Sequence, residues 1–161
     1  MTYTPRSQIG TTVVLFRWTA RTPNSVSQAR TVLRRVLAQL GCDGAAISDA
    51  VLAASELVAN ATEHAVGPYE LRLRRTAAEL LCEVQDGDPQ IPEIPSFPAA
   101  APFEPDPEAR GGGLDALLEL LAERGRGMRI VDQLTKGAWG FRCDGGGAAV
   151  KVAWMVVPGG A

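Results

Sequence analysis

In the stretch Glu56-Leu57-Val58-Ala59-Asn60-Ala61-Thr62-Glu63-His64 the chain sets an acid, a carboxamide and an imidazole at i, i+4 and i+8. On a helix this spacing stacks the three side chains on one face, a turn apart. Glu56 is able to take a proton, and Asn60 offers a neutral oxygen suited to a hard cation. Mg²⁺ is usually held by phosphate oxygens and water, with one or two protein oxygens completing its octahedral shell. The spacing thus equips the chain for a magnesium–nucleotide site, with Asn60 as metal ligand and Glu56 placed to orient or deprotonate an incoming hydroxyl or water. Phosphoryl transfer asks the protein mainly for positioning and electrostatics. The competing reading is two solvent-facing polar residues on an amphipathic helix.

Two other patches carry chemistry of a matching kind. Asp86 ends an apolar, alternating run and is followed by Gly87-Asp88-Pro89, so the backbone leaves sharply and the carboxylate stays at the strand end. There it can accept a hydrogen bond from an exocyclic amine, selecting adenine over guanine; otherwise it is a turn Asp bonding its own backbone. Gly125-Arg126-Gly127 precedes the apolar run Met128, Ile130, Val131, Leu134. Glycines ahead of a helix let main-chain amides converge on an anion at the positive helix end, with Arg126 adding a full charge. The alternative is a flexible connection between two short helices.

The elements that must position these patches are read from periodicity. Thr11 to Trp18 is β-branched and aromatic and reads as a strand after a flexible arm over residues 1–10. Asn24 or Ser25 can cap a helix whose stripe runs Val26, Ala29, Val32, Leu33, Val36, Leu37, Leu40 and which Gly41 stops. A second helix spans about Asp43 to Val66, burying Ile47, Val51, Ala54, Val58 and Ala61, with small Ala53 beside Glu56 leaving room for a ligand.

After Gly67-Pro68, Tyr69 to Arg75 and Glu79 to Gln85 alternate as a hairpin with one solvated face. Residues 87–124 hold Pro-, Ala- and Gly-rich sequence of lid type with a short helix from Leu114 to Arg124. Trp139 to Cys143 and Ala149 to Val157 form a last hairpin. The expected fold is α/β: a two-layer sandwich of a mixed, mostly antiparallel sheet covered on one face by helices, with residues 11–161 as one domain.

The chain has 161 residues and a formal charge of −2, with basic residues dispersed, so composition gives no support to direct nucleic-acid or membrane binding. Cys42, Cys82 and Cys143 are widely spaced without partner ligands for zinc, which fits reduced thiols in a cytoplasmic protein. No apolar run approaches the ~20 residues needed to span a bilayer.

Taken together, the three patches resemble the ATP-binding domain shared by gyrase, Hsp90, histidine kinases and MutL, in the small branch of anti-sigma-factor serine/threonine kinases. Glu56 to Ala65 resembles the N box, Val84 to Pro89 the first glycine box and Gly125 to Val131 the second, and the likeness extends from about Thr12 to Val157. The resemblance implies Glu56 as general base and Asn60 as Mg²⁺ ligand. It also implies Asp86 with Gly87 at the adenine, Gly125, Arg126, Gly127 and Met128 at the phosphates, and His64 near the phosphates or the lid. His64 is otherwise a structural hydrogen-bonder.

The resemblance further implies ATP and Mg²⁺ as cofactors, a sigma factor and a small antagonist protein as partners, and homodimers of the kind relatives often form. The implied activity is phosphorylation of a serine or threonine on the antagonist, controlling transcription by partner switching. This chain departs from its relatives in a longer lid, in a first glycine box without the second glycine, and in Gly147-Ala148-Ala149 where they carry Gly-Lys-Thr before the last strand. These departures favour the alternative, a nucleotide-sensing module that binds a partner and transfers nothing.

Overall fold

The computed structural model describes residues 10–87, 127–144 and 150–159. Most of the expected arm, the lid beyond Gly87, the Leu114–Arg124 helix, and Gly125 and Arg126 lie outside these residues. Among the described residues the order is β1 (Thr11–Trp18), α1 (Ser25–Gln39), α2 (Gly44–His64), β2 (Tyr69–Arg75), β3 (Leu80–Asp86), α3 (Gly127–Thr135), β4 (Trp139–Asp144) and β5 (Val150–Val156). The strands form one five-stranded sheet in the order β1-β2-β3-β5-β4. Every neighbouring pair is antiparallel, so the described sheet is wholly antiparallel rather than mixed.

Helix boundaries follow local chemistry. Helix α1 ends in a Schellman arrangement: Gly41 takes the left-handed conformation (φ 84°), the Cys42 N–H reaches Leu37 O at 3.1 Å and the Gly41 N–H reaches Ala38 O at 3.1 Å. At its start the expected side-chain cap is absent. Asn24 is itself left-handed (φ 52°), a conformation Asn tolerates, and its side chain makes no capping bond. Helix α2 is capped as its composition suggests, with the Asp43 carboxylate accepting from the Ala46 N–H at 2.8 Å.

The core lies between the helices and one sheet face. Leu33 and Leu37 of α1, Leu57 and Val58 of α2, and Leu71, Cys82 and Val84 of the sheet are buried there. Each such Leu or Val contributes roughly 1.5–3 kcal/mol by leaving water. Helix α3 lies along α2 and brings Met128 and Val131 into the same core.

The opposite sheet face corrects the expectation of a solvated hairpin. On β3, Glu83 is only 1% exposed and Leu81 is fully buried. Arg72, Arg74 and Arg142 converge on the Glu83 carboxylate, with nitrogens at 3.4, 3.1 and 2.6 Å. Alternation located this face correctly but could not show that charged side chains on it pair and pack under one another.

Candidate functional site

Helix α2 is fixed at both ends, and its C-terminal half is tied to the sheet. The Trp18 indole N–H donates to Thr62 Oγ1 at 2.9 Å, and the Tyr69 hydroxyl donates to Ala65 O at 2.7 Å. Trp18 and Tyr69 stack with ring centroids 5.4 Å apart beneath that turn. Burial, and secondarily the negative charge of Asp86, raise the Tyr69 pKa, so the phenol stays a donor. These contacts hold the turn that carries Asn60 and His64 at a set height above the strands.

Asp86 and Gly87 arrive beside the same turn. The Gly87 N–H donates to Val66 O at 2.8 Å, and a Cβ at position 87 would stand 3.0 Å from Gly67 O and 3.3 Å from Val66 O. A larger residue would have to push this approach of β3 to the α2–β2 connection apart by a few tenths of an ångström. Asp86, the last residue of β3, shares the helix-facing side of the sheet with Cys82 and Val84, and is 1% exposed. Its Oδ2 is 3.4 Å from Lys151 Nζ, directly across the β3–β5 ladder.

The third patch meets the first at Gly127. A Cβ there would lie 2.7 Å from Glu56 Oε2 and 3.7 Å from Glu56 Cβ, so the first residue of α3 sits against the Glu56 carboxylate, which a side chain at 127 would push aside. Met128 is buried and its side chain roots α3 in the core. Asn60 is half-buried one turn from Glu56, and His64 is half-exposed with Nε2 3.7 Å from Glu63 Oε2.

The structure thus brings Glu56 and Gly127 together, and Asp86 and Gly87 together at the far end of the same helix. Ala53 does not open space beside Glu56. It is 0% exposed and part of the core, on a helix along which α3 packs. A separate groove over Arg17, Thr22, Glu70 and Gln85 includes none of the residues predicted for the site.

Sequence reasoning passed over Lys151. Its signal was a single charge in the otherwise apolar run Val150 to Val157, on the same strand face as Ala153 and Met155.

The donors suit a metal held through a nucleotide. Among the described residues no three His, Cys, Asp or Glu side chains gather as a metal cage. A Mg²⁺ at Asn60 would take its remaining ligands from phosphate and water, which is the ion's ordinary habit. Among the same residues no helix is long and apolar enough to cross a membrane.

An antiparallel sheet under a long helix bearing Glu56 and Asn60, with a glycine-led helix closing on that glutamate, defines a nucleotide-binding domain of the ATPase type found in histidine kinases. The chain belongs to that family: the model of the histidine kinase-like ATPase domain matches residues 19–154. A chain in the crystal structure of the SiaB–SiaC complex from Pseudomonas aeruginosa is similar in fold, with a TM-score of 0.53 at 13% identity, covering 89% of each chain. No curated protein matches the sequence significantly. Membership implies an ATP-binding domain.

Proposed function

We propose that this chain is an ATP-dependent protein serine/threonine kinase of the anti-sigma type, acting on a small antagonist protein and regulating transcription by exchange of partners. The observation that carries this reading is the contact of Glu56 with Gly127, which sets a carboxylate at the N-terminus of α3 one turn from Asn60. A carboxylate there repels free anions and is useful where a hydroxyl must be deprotonated beside a phosphate. The likeness to a chain of a two-protein complex supports a protein partner for this one as well.

In this scheme Gly125 to Gly127 and Arg126 cradle the phosphates, Asn60 holds Mg²⁺, and Asp86 with Gly87 holds the adenine. Mg²⁺, when bound, neutralises phosphate charge. Glu56 accepts the proton of the attacking serine or threonine hydroxyl as its oxygen bonds to the γ-phosphorus. The bond between that phosphorus and the bridging oxygen breaks, and the electron pair leaves with ADP. His64 is the last residue of α2, at the end beside Gly87 rather than beside Glu56, which suits the lid side of its implied role; residues 87–124 are assigned to that lid, in a single domain over residues 11–161.

Transfer of labelled γ-phosphate to a candidate antagonist tests the scheme. Glu56→Ala is expected to retain ATP binding while transfer falls by about 10²-fold or more. Unchanged transfer removes Glu56 as the base.

A second reading is favoured by the engagement of Asp86 with Lys151. In it the domain senses nucleotide and holds a partner without transferring phosphate. Nucleotide-dependent partner binding with no transfer by the wild-type chain would select this reading.

A further inference from the structure

We propose that the sheet face turned away from the helices is a seat for the chain's own acidic, proline-spaced segment, residues 88–108, which lies outside the described residues.

The face asks for a cover of a particular kind. Leu81 and Val152 are 0% exposed and Trp154 is 5% exposed, although the described helices pack on the other side of the sheet. A sheet face leaves such residues open to water unless something lies above it. The Trp154 ring lies along the sheet against Gly140, where a Cβ would come within 2.8 Å of Trp154 Cζ2. Beside this apolar row the charge is unbalanced, because Arg72, Arg74 and Arg142 converge on the one Glu83 carboxylate. Arg72 Nε is buried there and has no hydrogen-bond partner among the described residues, so the face also holds a donor in want of an acceptor.

The segment's sequence supplies the matching features. Residues 88–108 include Asp88, Glu93, Glu104, Asp106 and Glu108 and no basic residue. Pro89, Pro92, Pro95 and Pro98 recur at every third position, and so do Ile91, Ile94 and Phe97. A polyproline II helix has three residues per turn, so this spacing gathers the prolines on one edge and the large apolar side chains on another. Such a helix makes no internal hydrogen bonds, which leaves its carbonyls free to accept from an arginine.

The point of departure favours the same face. Residue 88 follows the end of β3, the central strand of the sheet. On the helix side that end is already taken, since the Gly87 N–H is bonded to Val66 O and the glycine lies against Gly67. Turned back over the other face, residues 89–98 extend about 30 Å at roughly 3.1 Å per residue. The seven residues of β3 span roughly 23 Å, so the reach is sufficient. Residues 1–9 also adjoin the sheet, through β1, but they carry Arg6 and no acid, and charge therefore selects 88–108. Seated there, the acids stand across the sheet from Glu56 and Asn60, where they do not repel a triphosphate. That consequence rests on the nucleotide reading; the seat itself does not.

Digestion of the full wild-type chain with a glutamate-specific protease tests the seat without any variant. The Glu93–Ile94 bond is expected to be cut about tenfold or more slowly than in a synthetic peptide of residues 88–108, because cleavage follows the population of the open form. That protection is expected to shrink in about 1 M NaCl, which screens the attraction. Cutting at the peptide's rate overturns the inference.

Trp154 gives a second measurement. Replacing residues 89–108 by a Gly/Ser stretch of equal length is expected to raise acrylamide quenching of tryptophan fluorescence about twofold or more, as the face opens. Trp154→Phe in the replaced chain is expected to remove the increment, and thermal melts show that each chain is folded. Unchanged quenching in a folded replaced chain overturns the inference, and shielding that is then lost on dilution assigns the seat to a second copy. Deleting residues 1–9 is expected to leave quenching as it is; exposure of Trp154 by that deletion gives the seat to the arm instead.

Discussion

Glu83 and Asp86 lie on the same strand, both almost wholly hidden from water, yet they face opposite sides of the sheet and are neutralised differently. Three guanidinium groups, two from the neighbouring β2 and one from β4 beyond β5, surround Glu83 on the face away from the helices. An ammonium, that of Lys151, meets Asp86 on the face toward them, beside a turn to which Gly87 is bonded. The first arrangement brings more positive than negative charge to its centre and fastens β2, β3 and β4 across the sheet. The second sets an oppositely charged pair at the sheet end. A buried charge alone therefore does not mark a site: the face it occupies and what lies beside it separate a fastening from a candidate reader.

The sharpest way to break this contrast is to remove each carboxylate. Glu83→Ala removes the carboxylate on which three arginines converge, and loss of one member of a buried ion pair costs about 3–5 kcal/mol. Urea unfolding is expected to show a loss of that size, and a loss below about 1 kcal/mol would mean that the cluster holds nothing together.

Alkaline pH probes the same region from the other face. Burial, and then the Glu83 charge, push the Cys82 thiol up to about 12 from 9.0. The folded protein keeps this proton longer than the unfolded chain does, so unfolding releases a proton between those values and rising pH favours it. The contribution is fully present below pH 9 and is lost as pH climbs toward 12, amounting to several kcal/mol at the top of that range. Urea midpoints from pH 8 to 11 are expected to fall, and to fall less steeply in Glu83→Gln if the glutamate charge contributes.

Effects nearer the site should be smaller on stability and larger on chemistry. In Gly127→Ala the new methyl meets Glu56 Oε2 at 2.7 Å, so the carboxylate or α3 has to move. The carboxylate is the far end of a flexible side chain and can swing aside at small cost in stability, so γ-phosphate transfer is expected to fall far more than the melting temperature does. Loss of stability without loss of transfer would detach the Glu56–Gly127 contact from catalysis. Asp86→Asn keeps the side chain's shape and is expected to weaken ATP binding at least tenfold, about 1.4 kcal/mol, which calorimetry reads directly.

How much of this was legible beforehand follows from what each signal depends on. Strand and helix positions rest on local period, and β2, for instance, spans the same Tyr69 to Arg75 that alternation indicates. The meeting of Glu56 with Gly127 depends on α3 folding back along α2, which no local pattern encodes; only the glycine hinted that something lies close. Lys151 stood out as a lone charge in an apolar run, but its meaning comes from register with Asp86, a relation between strands far apart in sequence. Arg72 and Glu83 misled because alternating charges on a strand read as solvated until cross-strand pairing is known.

The smallest effect tests whether the two ends of α2 are independent. The Asp43 carboxylate caps the helix at Ala46, at the end remote from Asn60 and Asp86. Asp43→Ala removes one charge-assisted bond and should cost about 1 kcal/mol. The remote end of α2 is held separately, by Trp18 on Thr62, Tyr69 on Ala65 and Gly87 on Val66. Those bonds do not involve the first turn, so fraying there has no path to the nucleotide end except global unfolding. The melting temperature should fall slightly while the dissociation constant for Mg-ATP stays within about twofold, well under the tenfold expected for Asp86→Asn. An equal loss of affinity in both variants would show that the helix moves as one rigid lever, and that the sheet contacts at its C-terminal end do not by themselves set the site.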